Sequence, residues 1–402
     1  MTRVVALREV VERSTGTQNP ASAPLEYFTY VDVAAVDNRE KIIVGARAVV
    51  GSEAPSRAKK LIKRGDILVS TVRPNLNAVA LVPSWLDGQV ASTGFCVLRA
   101  TKLAIPEYLY FYVRSRRFVD GLVNLVAGAM YPAVSDSQVL DQRLPLPSLE
   151  KQQQVVDHLS RADGILRLRR EAQKKAVAVI PALFLDMFGD PATNPKGWPV
   201  QSFGAVGSLD RGRSRHRPRD AAELYGGPYP FIQTGDVANS GGRITAYGAT
   251  YSEAGLLQSK LWPPGTLCIT IAANIAKTGV LDFEACFPDS VVGFLPGREV
   301  TTAFVQGWLS FLQPTLEANA PQAAQKNINL EILRNLPIPL PPLSLQVVYE
   351  QRCTALASVR AQQDAALSKA EALFQSLLAG ELTGAEHVAS ATRELLALEG
   401  VT

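Results

Sequence analysis

The chain carries the same segment twice. Leu144-Pro145-Leu146-Pro147 is followed by Leu149, Gln152, Gln153 and a long helical run, and Leu336-Pro337-Ile338-Pro339 is followed by Leu343, Gln346, Val347 and another. An offset of roughly 194 residues is far longer than a solenoid period, so the repeated unit is a domain with a helix attached. Two-fold character built inside one polypeptide suits a target that itself has two halves, and a bipartite DNA site is such a target.

Other segments align at similar offsets and in the same order. Gly65-Asp66-Ile67-Leu68-Val69-Ser70-Thr71 answers to Gly265-Thr266-Leu267-Cys268-Ile269-Thr270-Ile271. Tyr30-Val31-Asp32-Val33 answers to Thr234-Gly235-Asp236-Val237, and Thr93-Gly94-Phe95-Cys96-Val97 to Val291-Val292-Gly293-Phe294-Leu295. Short apolar runs after a glycine turn read as strands. The intervening polar residues have diverged, so the two copies share a frame and differ in what they present.

A chain of 402 residues has room for several domains with sizeable cores, and a formal charge of +4 permits nucleic-acid binding without demanding it. Cys96, Cys268, Cys286 and Cys353 form no CxxC pair, and His158, His216 and His387 are isolated. A disulfide framework and a metal site are therefore not expected, and a reduced, cytoplasmic setting fits. Residues 1–12 lack the apolar core of a signal peptide, and the longest apolar stretch, 176–188, holds Pro181 and Asp186 and is too short to span a bilayer.

A mostly apolar seam at alternating spacings of four and three runs through Val155, Leu159, Ala162, Leu166, Arg169, Gln173, Ala176, Ile180, Leu183 and Met187, with two polar interruptions at Arg169 and Gln173. A second seam runs through Leu345, Tyr349, Arg352, Leu356, Val359, Gln363, Ala366, Ala370, Leu373 and Leu377. Each predicts a helix of about 30–35 residues, or about 50 Å at 1.5 Å per residue. Neither helix hides its stripe alone, so pairing them as an intramolecular coiled coil is the economical solution. Proline fixes φ and lacks an amide donor, so each Leu-Pro stretch is extended and the first helix starts at Ser148 or Leu149. Pro181 should kink that helix or mark a break.

Catalytic signatures are missing. The sequence has no Gly-x-Gly-x-x-Gly, Walker-type loop, Asn-Pro-Pro-aromatic motif, His-Glu-x-x-His or Gly-x-Ser-x-Gly, and no carboxylate cluster of a nuclease. A binding subunit is the better reading than an enzyme. The densest basic segment runs from Asp210 to Asp220 and carries Arg211, Arg213, Arg215, Arg217 and Arg219 among small and turn residues. It reads as a loop whose guanidinium forks suit phosphate oxygens and guanine edges. In the first half the candidates are Lys59, Lys60 and Lys63, then Arg73, Asn75 and Asn77 just after a strand. Asn274 and Lys277 stand at the corresponding place in the second half. Two further polar loops precede the Leu-Pro stretches, with Tyr131 and Ser135 in one and Gln322, Gln325, Lys326 and Asn327 in the other.

These features together resemble the specificity (S) subunit of Type I restriction–modification systems. The carrying residues are Gly65-Asp66-Ile67-Leu68, both Leu-Pro stretches with Gln152-Gln153 and Gln346, Met187-Phe188-Gly189-Asp190-Pro191, Gly197-Trp198-Pro199, and Leu377-Leu378-Ala379-Gly380-Glu381-Leu382. The second helix departs from the pattern, with Leu345 and Val347 where glutamines are usual. The resemblance implies an α+β chain: two tandem target-recognition domains (1–147 and 191–340, mixed sheet plus helices), two long antiparallel spacer helices (148–190 and 341–382) and a tail (383–402). It implies that the chain reads a bipartite double-stranded DNA site and recruits two methyltransferase (modification) subunits and, through them, restriction subunits. S-adenosylmethionine, ATP and Mg would then belong to those partners, and this chain would be non-catalytic. The alternatives are the specificity subunit of a related modification or phage-defence system without nuclease, and a pseudo-dimeric scaffold that binds no DNA.

Overall fold

In a computed structural model the chain is described over residues 3–383, apart from 127, 129, 217, 273 and 320–327. It forms two compact units, one made of residues up to Ala172 and from Gln363 onward, the other of Gln173–Gln362. Two long helices, Leu149–Phe188 and Leu343–Thr383, pass through both, so each unit owns one stretch of each helix.

The units repeat one frame. In the first, Arg3–Ala6 pairs antiparallel with Arg143–Leu146; in the second, Val200–Ser202 pairs with Pro337–Pro339. These two-stranded ribbons tolerate proline because an edge leaves its missing N–H unneeded. Next comes an antiparallel layer. Its order is Phe95–Leu98, Ile67–Ser70, Val79–Leu81 in the first unit. In the second it extends to five strands, Gly207–Arg211, Val291–Pro296, Leu267–Thr270, Thr278–Leu281 and Arg243–Ile244, the last of which joins parallel to Thr278–Leu281. Gly65 (φ 83°) and Gly265 (φ 82°) make the left-handed turn into the equivalent strands, a conformation glycine adopts without steric cost. Each unit also has a mixed sheet: Tyr27–Val31 runs antiparallel to Arg47–Val50 but parallel to Val90–Ser92, and Phe231 lies parallel to Cys286.

The long helices close each core. In the first unit Val155, Leu159, Ile165 and Leu166 join Leu367, Phe374 and Leu377 over Tyr108, Phe111 and Leu144. His158 meets Glu381 while Arg170 meets Glu371, so numbering rises on one helix as it falls on the other and the pair is antiparallel. In the second unit Phe184 and Phe188 pack on Phe304 and edge-on against Tyr349 with ring centroids 4.9–5.7 Å apart. Each such buried side chain stabilises by about 1.5–3 kcal/mol. Burial is broader than a two-position seam where helices meet domains, as Val156, Ile165, Phe184 and Leu378 show. It thins along the middle, where Val359 is 50% and Val177 53% exposed.

Two expectations need correction. The first helix does not break at Pro181 but continues to Phe188. Thr234-Gly235-Asp236-Val237 is not a strand; it opens the helix Thr234–Asn239 because Asp236 accepts the Gln233 N–H in a capping box at 2.7 Å.

Each long helix starts on a buried glutamine. Gln152 is fully buried; its Oε1 accepts from Ile105 N (2.9 Å), and its Nε2 donates to Leu103 O (3.1 Å) and Pro147 O (3.0 Å). Gln346, also fully buried, repeats the clamp: Oε1 accepts from Thr301 N (3.0 Å), and Nε2 donates to Glu299 O (3.0 Å) and Pro341 O (2.9 Å). Truncation leaves buried backbone groups unpaired, at about 1–3 kcal/mol each. Gln152→Ala and Gln346→Ala should each lower the unfolding free energy in urea by about 2–4 kcal/mol. Exposed Gln153→Ala should stay within about 0.5 kcal/mol.

Candidate nucleic-acid interface

In the first unit the strand Ile67–Ser70 leads into a strained turn. Arg73 (φ 50°, ψ 63°) and Asn77 (φ 46°, ψ 51°) are both left-handed and bracket the short turn Pro74–Leu76. For side chains other than glycine this costs about 1–2 kcal/mol per residue and persists only where surrounding bonds enforce it. Arg73 N donates to Pro132 O (2.8 Å), Val134 N to Thr71 O (2.9 Å), and Val72 bridges Ala133. Segments 71–73 and 132–134 are thus paired, which places exposed Arg73 next to the segment that follows Met130 (88% exposed) and Tyr131 (77%), with Asn75 exposed two residues further along the turn. The sequence gives Arg73 and Tyr131 no reason to be neighbours; the pairing joins them on one edge.

The other candidates of this unit have structural partners. The Asn77 amide donates to Val113 O (2.8 Å) and accepts from Lys41 Nζ (2.8 Å), so it anchors the loop. Ser135 caps the helix Asp136–Leu140: its Oγ accepts from Gln138 N at 3.2 Å, and Gln138 Oε1 accepts from Ser135 N at 2.8 Å. Lys60 pairs with Asp136 at 2.5 Å and Lys59 with Asn19. Lys63 is exposed.

In the second unit the strand Gly207–Arg211 takes in Asp210 and Arg211 of the arginine-rich segment, and residues 212–216 after it form a loop. Gly212 is required there, since a Cβ would meet Phe287 O at 2.2 Å. The loop backbone is held from below: Arg213 N donates to Phe287 O (3.0 Å), Ser259 Oγ donates to Arg213 O (2.9 Å), and Gln258 Oε1 accepts from Arg215 N (2.6 Å) and His216 N (3.0 Å). Arg211, Arg213 and Arg215 are exposed above this base. Arg219 instead forms a two-pronged pair with Asp289, both contacts at 3.1 Å. Asn274 and Lys277 are exposed in a turn where Thr270 Oγ1 donates to both their carbonyls, and Gln313 Nε2 donates to Ile275 O at 3.1 Å. Arg217, Gln322, Gln325, Lys326 and Asn327 lie outside the described residues.

Sequence reading missed Lys41. It sits in the turn Asp37–Lys41 with φ 58°, and its Nζ donates to the Asn77 carbonyl at 2.5 Å as well as to the Asn77 side chain. Burial, then Arg114 and Arg170, push its ammonium down to about 8, with Asp37 opposing. Nothing in Asp37-Asn38-Arg39-Glu40-Lys41 distinguishes it from a solvated surface turn. Because the folded value lies below the ordinary 10.5, the unfolded chain binds more protons between these limits, so this group makes stability rise with pH from about 8 to 10.5. Against Lys41→Met, the wild-type chain should gain on the order of 1–2 kcal/mol across that window after solvent screening, measured by urea unfolding at stepped pH.

Comparison with known proteins follows the same two-fold division. The family model of the Type I restriction modification DNA specificity domain matches residues 2–177 and again 195–355. The chain is 24% identical over 347 residues to the putative Type I restriction enzyme MjaX specificity subunit of Methanocaldococcus jannaschii, covering 81% of this chain and 80% of that one. It is 19% identical over 389 residues to the Type I restriction enzyme HindI specificity subunit of Haemophilus influenzae, covering 76% and 83%. A chain solved in work on complex assembly and conformational transition of the Type I R-M system superposes with a TM-score of 0.65 at 30% identity, covering 96% of this chain and 98% of that one.

Proposed function

Because the chain belongs to the Type I restriction–modification DNA specificity family, we propose a division of labour among its two units and two helices. The chain is a DNA sequence-recognition subunit of a Type I restriction–modification system. One observation carries the finer reading: the family match falls once on each half, and each half repeats the same glutamine-clamped frame while presenting a different exposed edge.

Each unit reads one half of a split duplex site. In the first, Arg73 and Asn75 contact base edges, arginine toward guanine and asparagine toward adenine, with Tyr131 beside them. In the second, Arg211, Arg213 and Arg215 grip phosphates from a loop whose backbone is already fixed, and Asn274 and Lys277 stand on a separate turn. Phosphate contacts set register and base contacts set sequence. The paired helices fix which gap between half-sites is accepted. Two methyltransferase subunits and, through them, restriction subunits assemble on this chain. The chemistry, with S-adenosylmethionine, ATP and Mg, belongs to those partners, and the methyltransferases extrude the target base from the stack.

Replacing Arg211, Arg213 and Arg215 with Ala should weaken duplex binding and flatten the plot of log affinity against log salt by about one unit of slope for each phosphate no longer neutralised. Arg219→Ala should change the slope less, because Asp289 already holds that guanidinium. Fluorescence anisotropy titrations over a range of salt concentrations check both; an unchanged slope in the triple variant removes the phosphate role. Inserting one heptad in each long helix should alter the accepted gap and leave both half-site sequences intact, as read by mapping methylated bases.

A further inference from the structure

We propose that the turn Asp37–Lys41 is a positioning device that ties the loop Arg73–Asn77 to the long-helix pair, with Lys41 as the residue that sets the loop. The inference rests on the reading of that loop as a base-contacting element. It concerns contacts within the first unit alone.

The turn is itself rigid. Asp37 Oδ1 accepts from Arg39 N (2.8 Å) and Glu40 N (2.9 Å), and Lys41 N donates to Asp37 O (2.8 Å). On one side it meets the helices. Arg170 of the first helix donates to Glu371 of the second (2.8 and 3.1 Å), to Arg39 O (3.4 Å) and to Glu40 (3.5 Å), and Arg39 reaches Glu371 at 3.8 Å. On the other side it meets the loop, where Lys41 Nζ takes both oxygens of Asn77. Domain helix Pro106–Arg114 locks the two together: Tyr110 Oη donates to Lys41 O (3.1 Å), and Asn77 Nδ2 donates to Val113 O (2.8 Å). An unbroken run of polar contacts therefore joins the Arg170–Glu371 pair to the left-handed residue that ends the loop.

The placement of Lys41 carries a cost that a surface lysine avoids. Its charge is part-buried and faces Arg114 and Arg170, with Asp37 as the counter-charge. Asn77 is held left-handed where glycine would sit without strain. Strain and a disfavoured charge at one point, next to two exposed side chains suited to base edges, mark a site built for placement. The second unit fastens its equivalent loop differently, through Thr270 at the end of the preceding strand and Gln313 of the domain helix Thr302–Ala318. The two half-sites therefore control for each other. Spatial continuity alone does not establish coupling, so the test measures it.

The experiment uses the full chain assembled with its methyltransferase subunits and duplexes carrying one wrong base pair in either half-site. Arg73→Ala and Asn75→Ala first assign the half-site that the loop reads, by lowering discrimination there about tenfold. Lys41→Met should lower discrimination at that same half-site about tenfold and leave the other within twofold. Asn77→Gly should do the same even though it relieves the backbone strain, so unfolding does not explain the drop. Glu371→Gln should weaken discrimination in the wild-type background and add nothing to Lys41→Met. If Arg73→Ala and Asn75→Ala act but Lys41→Met and Asn77→Gly do not, the positioning role is wrong and the loop reading stands. If the arginine and asparagine variants have no effect, the loop reading falls and takes the inference with it. An equal drop at both half-sites would reduce Lys41 to a general stabiliser, and full additivity of Glu371→Gln with Lys41→Met would sever the helix pair from the loop.

Discussion

A buried primary amide decides where each long helix begins. Gln152 and Gln346 each satisfy one backbone donor and two acceptors that no regular element could serve, because the proline-rich strand just before the helix and the loop entering the domain helix meet there. Glutamine suits the position for its chemistry: it offers an acceptor and donors on one planar group, which neither glutamate nor lysine does. With the helix start fixed, the first turn of each helix is locked to its own domain. The stripe that follows is then aimed at the core and at the other helix. The frame repeats because this geometry repeats, even where the packed residues differ.

What packs on that frame diverges. The first unit buries a charged knot. Arg114 lies 4.9 Å from the Tyr110 ring centroid and 5.0 Å from that of Phe374, and it pairs with Asp163 at 2.5 Å, which Arg167 also reaches at 2.8 Å. Burial alone would raise the Asp163 carboxyl, but Arg114 and Arg167 hold it below its usual range. The second unit instead packs its part of the helix pair through an aromatic cluster of Phe184, Phe188, Phe304 and Tyr349. A buried ion pair gains little net energy over such an aromatic cluster, since desolvation offsets most of the attraction. The knot does leave polar groups close to the loop-bearing turn, where the aromatic cluster has none to offer.

The sequence made the frame legible because the frame is local and periodic. The Leu-Pro stretches, the glycine turns at Gly65 and Gly265, and the two apolar seams each follow from residue type and spacing alone. The arginine-rich loop was legible for the same reason. Departures arose where tertiary context decided. Pro181 sits inside a helix whose following turns are packed through Phe184, Met187 and Phe188, so the missing hydrogen bond did not end it. Thr234–Val237 is helical throughout, with Asp236 in its cap, whereas its counterpart keeps Tyr30 and Val31 in a strand before Asp32 caps the short helix Val33–Ala35. The edge formed by Arg73 and Tyr131 depends on pairing between segments some sixty residues apart, which no local pattern encodes. Asn77 and Ser135 have the right chemistry for base contact but serve as anchor and cap, a choice that only their partners reveal.

On the proposed reading of Arg73–Asn77 as a base-contacting loop, Lys41 supplies support from outside that loop. A turn that reads bases must keep its side chains exposed and must not relax when unbound, since a loop that samples several shapes loses affinity for each. Glycine at Arg73 or Asn77 would relieve strain, but it would also loosen the turn. Residues other than glycine stiffen it, provided other contacts force the left-handed geometry. Those contacts must come from elements that do not themselves touch the target, or they would compete with it. A turn anchored in the helix pair on one face and in the domain helix on another meets that requirement. The disfavoured lysine charge is then the consequence of reaching two oxygens of one residue from a part-buried position.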